Sequence, residues 1–464
     1  MSEATLFGDD AEGPPPTPAA PTPRPKGKPR LRAVERHQAE MRCASLDQLL
    51  PPEHNARVVW DYVAALDITP LLQDIRAVDG AAGRDANDPR VLLALWLFAT
   101  TQGVGSARAL DRLCQEHLAY QWLCGGMTVN YHSLSDFRCA HVDYLDQLLT
   151  DGVGTLLHEG LIELQRVAQD GLRVRASAGA ASFRRQPSLE ACLEEARQQV
   201  EALRQQVDED AGAASRRQEA ARARAAAERV ARVQQALQQR QQLLEQRQRQ
   251  LAEKGTKFKP EELRASTTDP EARRMKMPDG GTRPAYNVQL ATATAGGVIV
   301  GVGVTNAGAD SGQMRPMLEQ VERRYGRKPL EVLADGGYTS HADIEAAHAG
   351  GVAVYGPIRE EEEQLAQGLD PYRPKKKDGP GVAAWRQRMG TEDAKAIYRG
   401  RAAAAEWANA QVRNRGLYGV RVRGQQRVLA VVLLYALAHN LQRAYALRAA
   451  AAGQGRPEGP ATSR

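Results

Sequence analysis

Cysteine and long apolar runs are scarce in this chain of 464 residues. Five cysteines, odd in number and without a C-x-x-C pair, argue against a disulfide framework or a structural zinc site: Cys43, Cys114, Cys124, Cys139 and Cys192. The longest apolar run, Val428 to Ala438, has about half the length of a membrane span. The N-terminus is acidic and rich in proline, unlike a signal peptide. We therefore expect a cytoplasmic protein with no membrane partner.

Several common catalytic motifs are also missing. The chain has no P-loop, no G-x-S-x-G elbow and no H-E-x-x-H pair. Its nine histidines are scattered, and His439 beside Asn440 in an apolar helical pattern is more typical of a core residue than of a ligand. The net charge of +6 says little, but basic residues cluster at 24–36, at 373–377 and around Glu406. Such clusters favour a polyanion such as nucleic acid, with solvated charge as the alternative for any one of them.

Composition and apolar spacing predict a disordered arm, a helical domain and a disordered tail. Residues 1–40 are rich in proline and end in basic residues, which predicts a disordered basic arm. Residues 41–161 show helical spacing, with Asp88 and Pro89 as a helix start and Gly125-Gly126 as a break. We expect a compact helical domain there, and a disordered tail at residues 449–464.

Residues 162–448 show strand and helix patterns in alternation. Segments rich in Val, Ile and Thr predict strands, and Gly296-Gly297 predicts a hairpin turn between two of them. The predicted strands are residues 166–174, 284–294, 297–305, 330–335 and 352–355. Helices are predicted at residues 311–325 and 340–348, and a loop at residues 371–381. The expected fold class is α/β with a mixed sheet.

A long polar segment interrupts this domain after its first strand. Residues 187–253 are dominated by Gln, Glu, Arg, Ala and Leu, and apolar residues recur at heptad spacing. The pattern breaks at residues 208–212, which predicts an antiparallel coiled-coil hairpin, with one continuous helix as the alternative. The segment could serve self-association or be a passive protrusion.

Three acidic residues are candidates for metal binding. Asp170 lies in a largely apolar predicted strand, where a carboxylate is costly unless it is paired or bound to metal. Asp335 ends a predicted strand and precedes two glycines, at the strand end where α/β sheets commonly bind ligands. Glu406 is the single acid in residues 394–457, which carry eleven Lys and Arg side chains. Taken singly, each has a simpler explanation: a solvent-facing strand residue, an Asp-Gly turn or a surface ion pair.

Together, these three carboxylates could support phosphodiester chemistry. Two Mg²⁺ ions about 4 Å apart can activate an attacking water or hydroxyl group and stabilise the leaving oxygen. Magnesium prefers carboxylate, water and phosphate oxygens, and Mn²⁺ is an alternative ion. Arg401 and Arg413 are the residues that we expect to neutralise phosphate.

Around these residues the sequence resembles the DDE transposases of bacterial insertion sequences, in the group with a Tyr-Arg-Glu-Lys signature. The likeness rests on Asp170-Gly171, on residues 332–338, and on Tyr398-x-x-Arg401 followed by Glu406 and Arg413. Residues 269–273, 286–289 and 304–308 add to it, and the resemblance extends over residues 46–448. Arg413 stands where the signature has lysine, and the gap from Arg401 to Glu406 is one residue longer than usual.

The resemblance implies a ribonuclease-H-like catalytic domain whose acids are Asp170, Asp335 and Glu406. From the basic segment around Glu406, we expect DNA contacts by four residues: Tyr398, Arg401, Arg413 and Arg415. The resemblance further implies that the helical domain binds the terminal inverted repeats of the element. The implied reaction is metal-dependent cutting of double-stranded DNA at the element's ends, followed by joining of the 3′-hydroxyl ends to target DNA. Two ends must be brought together, so we expect a homo-oligomer, associated with the nucleoid.

Two other functions fit the same residues. A transposase-derived protein without catalytic activity would bind the element's ends but not cut them. A general nuclease of the same fold would cut without preference for end sequences.

Overall fold

The computed structural model describes residues 43–73, 75–78, 80, 85–209, 213–255 and 257–454. The chain divides into a unit of residues 1–45 and a unit of residues 46–464. The arm predicted at residues 1–40 lies outside the described residues. None of the described helices combines the length and the apolar content that crossing a membrane requires.

Eight helices precede the first strand in the described part of the chain. They are α1 (Leu46–Leu49), α2 (Asn55–Ala64), α3 (Thr69–Leu72), α4 (Pro89–Thr101), α5 (Ala107–Glu116), α6 (Leu118–Cys124), α7 (Tyr131–Ala140) and α8 (Val142–His158). The predicted helix start is confirmed, because the Asp88 side chain accepts a hydrogen bond from the backbone N–H of Arg90 and Pro89 fills the first helical position. The predicted break is confirmed as well, since α6 ends at Gly125 in the left-handed conformation, with φ 57°.

A mixed sheet follows, as the sequence predicts, but it has six strands, of which the one at Arg273–Lys276 was not predicted. Its strands are β1 (Arg166–Arg175), β4 (Arg273–Lys276), β5 (Thr282–Ala293), β6 (Ile299–Thr305), β7 (Glu331–Ala334) and β8 (Ala353–Tyr355), and a separate pair joins β2 (Phe183–Arg184) to β3 (Ala265–Ser266). The order is β4-β5-β1-β7-β8, with β6 paired to β5. β1 runs antiparallel to β5 and parallel to β7. The predicted hairpin turn joins β5 to β6, with positive φ at Gly296 and Gly297.

Two long helices occupy the polar segment after β1 and β2. They are α9 (Gln186–Glu209) and α10 (Ala213–Lys254), and residues 210–212 between them lie outside the described ranges. Arg229 of α10 contacts Gln199 at 3.0 Å and Glu195 at 3.4 Å, so the two helices lie side by side. The structure therefore has two helices rather than one continuous helix, and coiled-coil packing stays a prediction.

Helices cover the sheet and extend to the end of the described chain. They are α11 (Met314–Tyr325), α12 (His341–Ala349), α13 (Glu361–Ala366), α14 (Pro380–Met389), α15 (Glu392–Arg401), α16 (Trp407–Asn414) and α17 (Gln425–Gln454). A π-helical turn, Ala402–Glu406, connects α15 to α16. α14 begins at Pro380, inside the segment predicted as a loop, because proline is well tolerated at the first position of a helix.

One apolar core joins the N-terminal helices to the sheet. Trp96 of α4, Leu172 of β1 and Leu433 of α17 belong to the same buried cluster. α17 also continues past residue 448 to Gln454, because the alanines at residues 449–452 are strong helix formers. The predicted tail is therefore helical up to Gln454, and residues 455–464 lie outside the described ranges. The other predicted domain boundaries stay predictions.

Candidate active site

Asp170 lies in the middle of the central strand β1, opposite Leu290 of β5. Its Oδ1 accepts a hydrogen bond from the backbone N–H of Gly171 at 2.8 Å, and its Oδ2 accepts one from Asn409 Nδ2 at 2.9 Å. The side chain is 18% exposed. Burial raises the pKa of the Asp170 carboxyl, and the Gly171 N–H and the charge of Arg401 only partly offset this effect. Asp170 is thus held in place by two donors in a site that disfavours an uncompensated negative charge.

Asp335 follows the end of β7, beside Asp170. Because Gln169 of β1 pairs with Ala334 of β7 in parallel register, each aspartate directly follows one of these two paired residues. Asp335 Oδ1 accepts a hydrogen bond from the backbone N–H of Gly337 at 2.8 Å. The charge of Asp335 also contributes to raising the pKa of Asp170, after burial. The two predicted acids therefore lie within electrostatic reach of each other.

Glu406 reaches the same place through Arg401. Arg401 Nη2 donates to Glu406 Oε1 at 2.7 Å, and Arg401 Nη1 lies 3.9 Å from Asp170 Oδ2. The Arg401 side chain is 16% exposed, whereas that of Glu406 is 56% exposed. Burial acts to lower the pKa of Arg401, but the surrounding acidic groups outweigh it and raise that pKa: the Tyr398 phenol and the carboxylates of Asp170, Glu406 and Asp335. One guanidinium group is thus the common neighbour of all three predicted acids.

The π-helical turn explains how Glu406 reaches this position. A π-helix closes i→i+5 hydrogen bonds and so holds one more residue in a turn than an α-helix. The turn Ala402–Glu406 therefore holds one residue more between α15 and α16 than an α-helical turn would. Ala404 and Ala405 in this turn are buried, and Glu406 stays within reach of Arg401.

A further carboxylate, Asp310, lies beside Asp170 and Asp335, and the sequence reasoning missed it. A Cβ atom at Gly171 would lie 2.6 Å from Asp310 Oδ1, and one at Gly337 would lie 3.6 Å from Asp310 Oδ2. Asp310 therefore packs between the glycines next to Asp170 and Asp335. These close approaches also explain why glycine is required at position 171.

Polar donors surround Asp310 on several sides. Arg173 Nη2 donates to it at 3.0 Å, Asn287 Nδ2 at 2.7 Å and Gln289 Nε2 at 2.8 Å. Burial acts to raise the pKa of Asp310, but these donors, Arg173 foremost, outweigh it and lower that pKa. The one signal in the sequence is an acid in a Gly-rich loop just after β6, two residues beyond the segment 304–308 that carries the family resemblance.

Asn409 is a second residue that the sequence reasoning missed. Its side chain is 5% exposed and holds Asp170 Oδ2, while its own Oδ1 has no hydrogen-bond partner among the described residues. Glu406 and Asn409 are three residues apart in helical backbone, which places them on one helix face. That spacing could have identified Asn409.

The predicted DNA-contacting residues have different surroundings. Tyr398 lies against Arg401, with the guanidinium carbon 5.8 Å from the ring centroid, so it belongs to the acidic site. Arg413 is half-buried and forms no ion pair within the described part of the chain. Arg415 instead approaches His439, with Nη1 3.4 Å from Nδ1. Since His439 is 1% exposed and burial lowers its pKa to about 4, it is a core residue, as the sequence indicates.

No metal site is ready-made in the part of the chain that the structure describes. There, no three or more His, Cys, Asp or Glu side chains are grouped so that they could hold a metal ion. The guanidinium group of Arg401 lies between Asp170 and Glu406 instead. The three acids are therefore neighbours of one cation, but they do not form a preorganised set of ligands.

Two family models match the chain. Residues 256–441 match a transposase DDE domain, and residues 44–139 match a transposase domain (DUF772). These matches support a DDE transposase. The DDE-domain match contains Asp335 and Glu406, whereas Asp170 precedes it, on the other side of α9 and α10. Neither the curated proteins nor the solved structures include a significant match to the chain.

The fold agrees with this assignment. A mixed α/β sheet with many helices is consistent with the ribonuclease-H-like fold of DDE transposases. The DDE domain implies a DNA substrate and an enzyme of the nuclease and transposase class. The helices α1 to α7 contain most of the second matched transposase domain.

Proposed function

We propose that this protein is a transposase that cuts DNA at the ends of an insertion sequence and joins the freed 3′-hydroxyl ends to target DNA. The observation that carries this proposal is the position of Arg401, in contact with Glu406 and within 3.9 Å of Asp170. Residues far apart in sequence, from a central strand and from a basic helical segment, meet at one guanidinium group. Asp335 adds its charge to the same site.

The donor set fits a divalent cation in its chemistry. Asp170, Asp335 and Glu406 supply hard carboxylate oxygens, the ligands that Mg²⁺ and Mn²⁺ prefer. The site already places a positive charge beside Asp170, whose pKa burial raises, so a cation there compensates a real electrostatic cost. When bound, two such ions would neutralise phosphate charge and make an attacking water or hydroxyl group more acidic. Asp170, Asp335 and Glu406 are the residues that would hold them.

The remaining residues of the site position these acids and the DNA. Asn409 fixes the orientation of the Asp170 carboxylate through its Nδ2 donor. In our proposal Arg401 leaves Glu406 when a cation binds and turns to a phosphate oxygen, for which its planar donor fork is suited. Arg413 and Arg415, at the C-terminal end of α16, add positive charge that could attract DNA phosphates. Tyr398 packs against Arg401. If these residues hold phosphates, affinity for DNA should fall steeply as salt rises.

Recognition of the element's ends is assigned to the N-terminal helices. Residues 44–139 match a transposase domain, which supports a role of this region in transposition. We propose that it binds the terminal inverted repeats and that the protein acts as a homo-oligomer, since two ends must be joined. The helices α9 and α10 could contribute to self-association.

The test is a cleavage assay on purified protein with end-labelled duplexes. One duplex carries an end of the element and a matched duplex carries the same bases in scrambled order, both with Mg²⁺. Nicking confined to the element end supports the proposal. A shifted but never nicked duplex favours a catalytically inactive DNA-binding protein, and equal cutting of both duplexes favours a general nuclease. No observation on this chain favours the inactive protein.

A further inference from the structure

A cavity of about 160 Å³ lies between the N-terminal helices, α17 and the segment that connects α16 to α17. Two arginines supply its charged lining: Arg138 of α7 and Arg421 of the connecting segment. The rest of the lining consists of glycines and of apolar and hydroxyl side chains, and it contains no Asp or Glu. The cavity is thus cationic and has no acid in its wall.

Arg138 is a buried charge that is only partly satisfied. The residue is 5% exposed, its Nη1 donates to the Gly105 carbonyl at 2.8 Å, and its guanidinium carbon lies 4.6 Å from the centroid of the Trp96 ring. Its Nε has no hydrogen-bond partner among the described residues. Because arginine stays protonated in proteins and burying its charge is costly, an anion beside the guanidinium group would stabilise Arg138.

The electrostatic surroundings of Arg138 leave this charge uncompensated. Burial lowers the pKa of Arg138 most, and the charge of Arg421 adds to this effect, whereas Cys139 and Tyr435 only partly offset it. Burial also raises the pKa of the adjacent Cys139, which therefore remains a neutral thiol near pH 7. Asp136 influences Cys139 but does not line the cavity. The two guanidinium groups therefore face the cavity without a carboxylate between them.

The position of Arg421 is fixed by the backbone. Arg175 of β1 donates its N–H to the Tyr418 carbonyl at 2.9 Å, and Val420 donates its N–H to the Arg175 carbonyl at 2.8 Å. Val420 and Val422 on either side of Arg421 are buried in the core, whereas Arg421 itself is exposed. The connecting segment thus presents Arg421 at the rim of the cavity from a rigid support.

The other polar side chains in the wall already have acceptors. The hydroxyl group of Thr100 donates to the Trp96 carbonyl at 2.7 Å, and that of Tyr435 donates to the Arg415 carbonyl at 3.2 Å. The guanidinium N–H groups are therefore the charged donors that remain. The cavity is large enough to hold ordered water or one small tetrahedral anion.

We propose that Arg138 and Arg421 form a binding site for a single phosphate group in this cavity. The phosphate belongs either to the backbone of bound DNA or to free inorganic phosphate, and the assignment to DNA rests on the proposed function. The site is separate from the acidic cluster. Gly419 in its wall pairs with Arg175, five residues after Asp170 on β1, which corresponds to about 17 Å along the strand.

The first arm of the test measures binding of inorganic phosphate to the full chain by calorimetry, in a buffer without other oxyanions. Arg421→Gln should weaken binding about tenfold or more, because it removes a charged hydrogen bond. Arg423→Gln is the matched control: it removes the same charge from an exposed residue of the same segment that does not line this cavity, and binding should stay within about twofold of wild type.

Two further variants keep the result interpretable. Arg138→Lys retains the buried charge but loses the planar donor fork, and should also weaken phosphate binding. Its fold is checked by thermal unfolding, and Arg421→Gln, which alters only an exposed side chain, gives an independent answer if Arg138→Lys is unstable. Asp393→Asn, at an exposed residue of α15 outside both sites, should bind phosphate like wild type. Phosphate binding is measured without DNA or Mg²⁺, so failure of the catalytic proposal would be recognised separately.

The second arm separates the two sources of phosphate. Binding of a short duplex is measured at several salt concentrations for Arg421→Gln and Arg423→Gln. A salt slope that is smaller by about one unit in Arg421→Gln than in the control identifies a DNA phosphate, since each phosphate contact contributes about 0.9. Equal slopes together with weakened phosphate binding identify free phosphate. If wild type binds no phosphate at millimolar concentration and the slopes are equal, the proposal is overturned.

Discussion

Arg401 donates a hydrogen bond to Glu406 at 2.7 Å, across the π-helical turn that separates the two residues. The same guanidinium group lies 3.9 Å from Asp170 of the central strand. This relationship brings a solvent-exposed glutamate and a largely buried aspartate to one positive charge. It also means that a divalent cation must compete with Arg401 for both acids.

The first prediction concerns this competition. Arg401→Gln should raise the affinity of the DNA-free protein for Mn²⁺ about tenfold, because the charged hydrogen bond that occupies Glu406 is lost. Free Mn²⁺ can be counted by electron paramagnetic resonance during a titration. Arg399→Gln, an exposed arginine two residues earlier, is the control and should leave the affinity unchanged. Unchanged or weaker Mn²⁺ binding by Arg401→Gln would show that Arg401 does not compete for the acids.

The second prediction concerns Asn409. Asn409→Ala removes a donor to the Asp170 carboxylate, so the pKa of Asp170 should rise further and the acidic limb of the pH–rate profile should move to higher pH. Nicking at neutral pH should fall about tenfold to a hundredfold, as for other residues that orient metal ligands. A uniform loss of rate at every pH would instead indicate a structural role.

The third prediction concerns the pairing of Asp310 with Arg173. The pKa of Asp310 in the folded protein lies below the unfolded value of 3.8, so its ionised form adds stability at neutral pH. That contribution is lost as pH falls from 3.8 through the lower folded pKa. Asp310→Asn should lower the free energy of unfolding by about 2 kcal/mol at pH 7. Chemical denaturation at several pH values should show that the difference from wild type shrinks in acid, and a constant difference would contradict the assignment.

The fourth prediction concerns the π-helical turn. Deleting exposed Ala403 should convert the turn to an α-helix and leave the packing of α15 and α16 intact, because a π-helical turn contains one residue more than an α-helical turn. Deleting exposed Ala410 in α16 is the matched control, and it rotates the rest of that helix by about 100°. Thermal unfolding should show a clearly larger loss for the Ala410 deletion. Equal losses would mean that the turn does not contain a dispensable residue.

Local signals in the sequence were sufficient for the strands and turns that support the site. Short, largely apolar segments predict β1 and β7 close to their observed ends, and the glycine pair predicts the turn between β5 and β6. Asp335 could be predicted because it directly follows an apolar strand. These strands, the turn and the position of Asp335 depend on residues that are adjacent in sequence, so a single sequence contains the information needed to predict them.

Contacts between distant residues gave no such signal. Arg173 and Asp310 are 137 residues apart, and their pairing depends on how the loop after β6 returns to β1. The start of α14 at Pro380 was also missed, since prolines and lysines around residues 374–380 indicate a loop. A distant residue stabilises this start: Gly381 and Val382 donate their backbone N–H groups to the Glu345 carboxylate of α12.

The most direct test of the catalytic proposal is nicking of an end-labelled element end in Mg²⁺ by Asp335→Asn. We predict a loss of about a thousandfold or more, because a ligand of the catalytic ions is removed, while binding of the same duplex persists. Asp393→Asn, an exposed aspartate of α15, is the control and should nick like wild type. Nicking by Asp335→Asn at the wild-type rate would contradict the account.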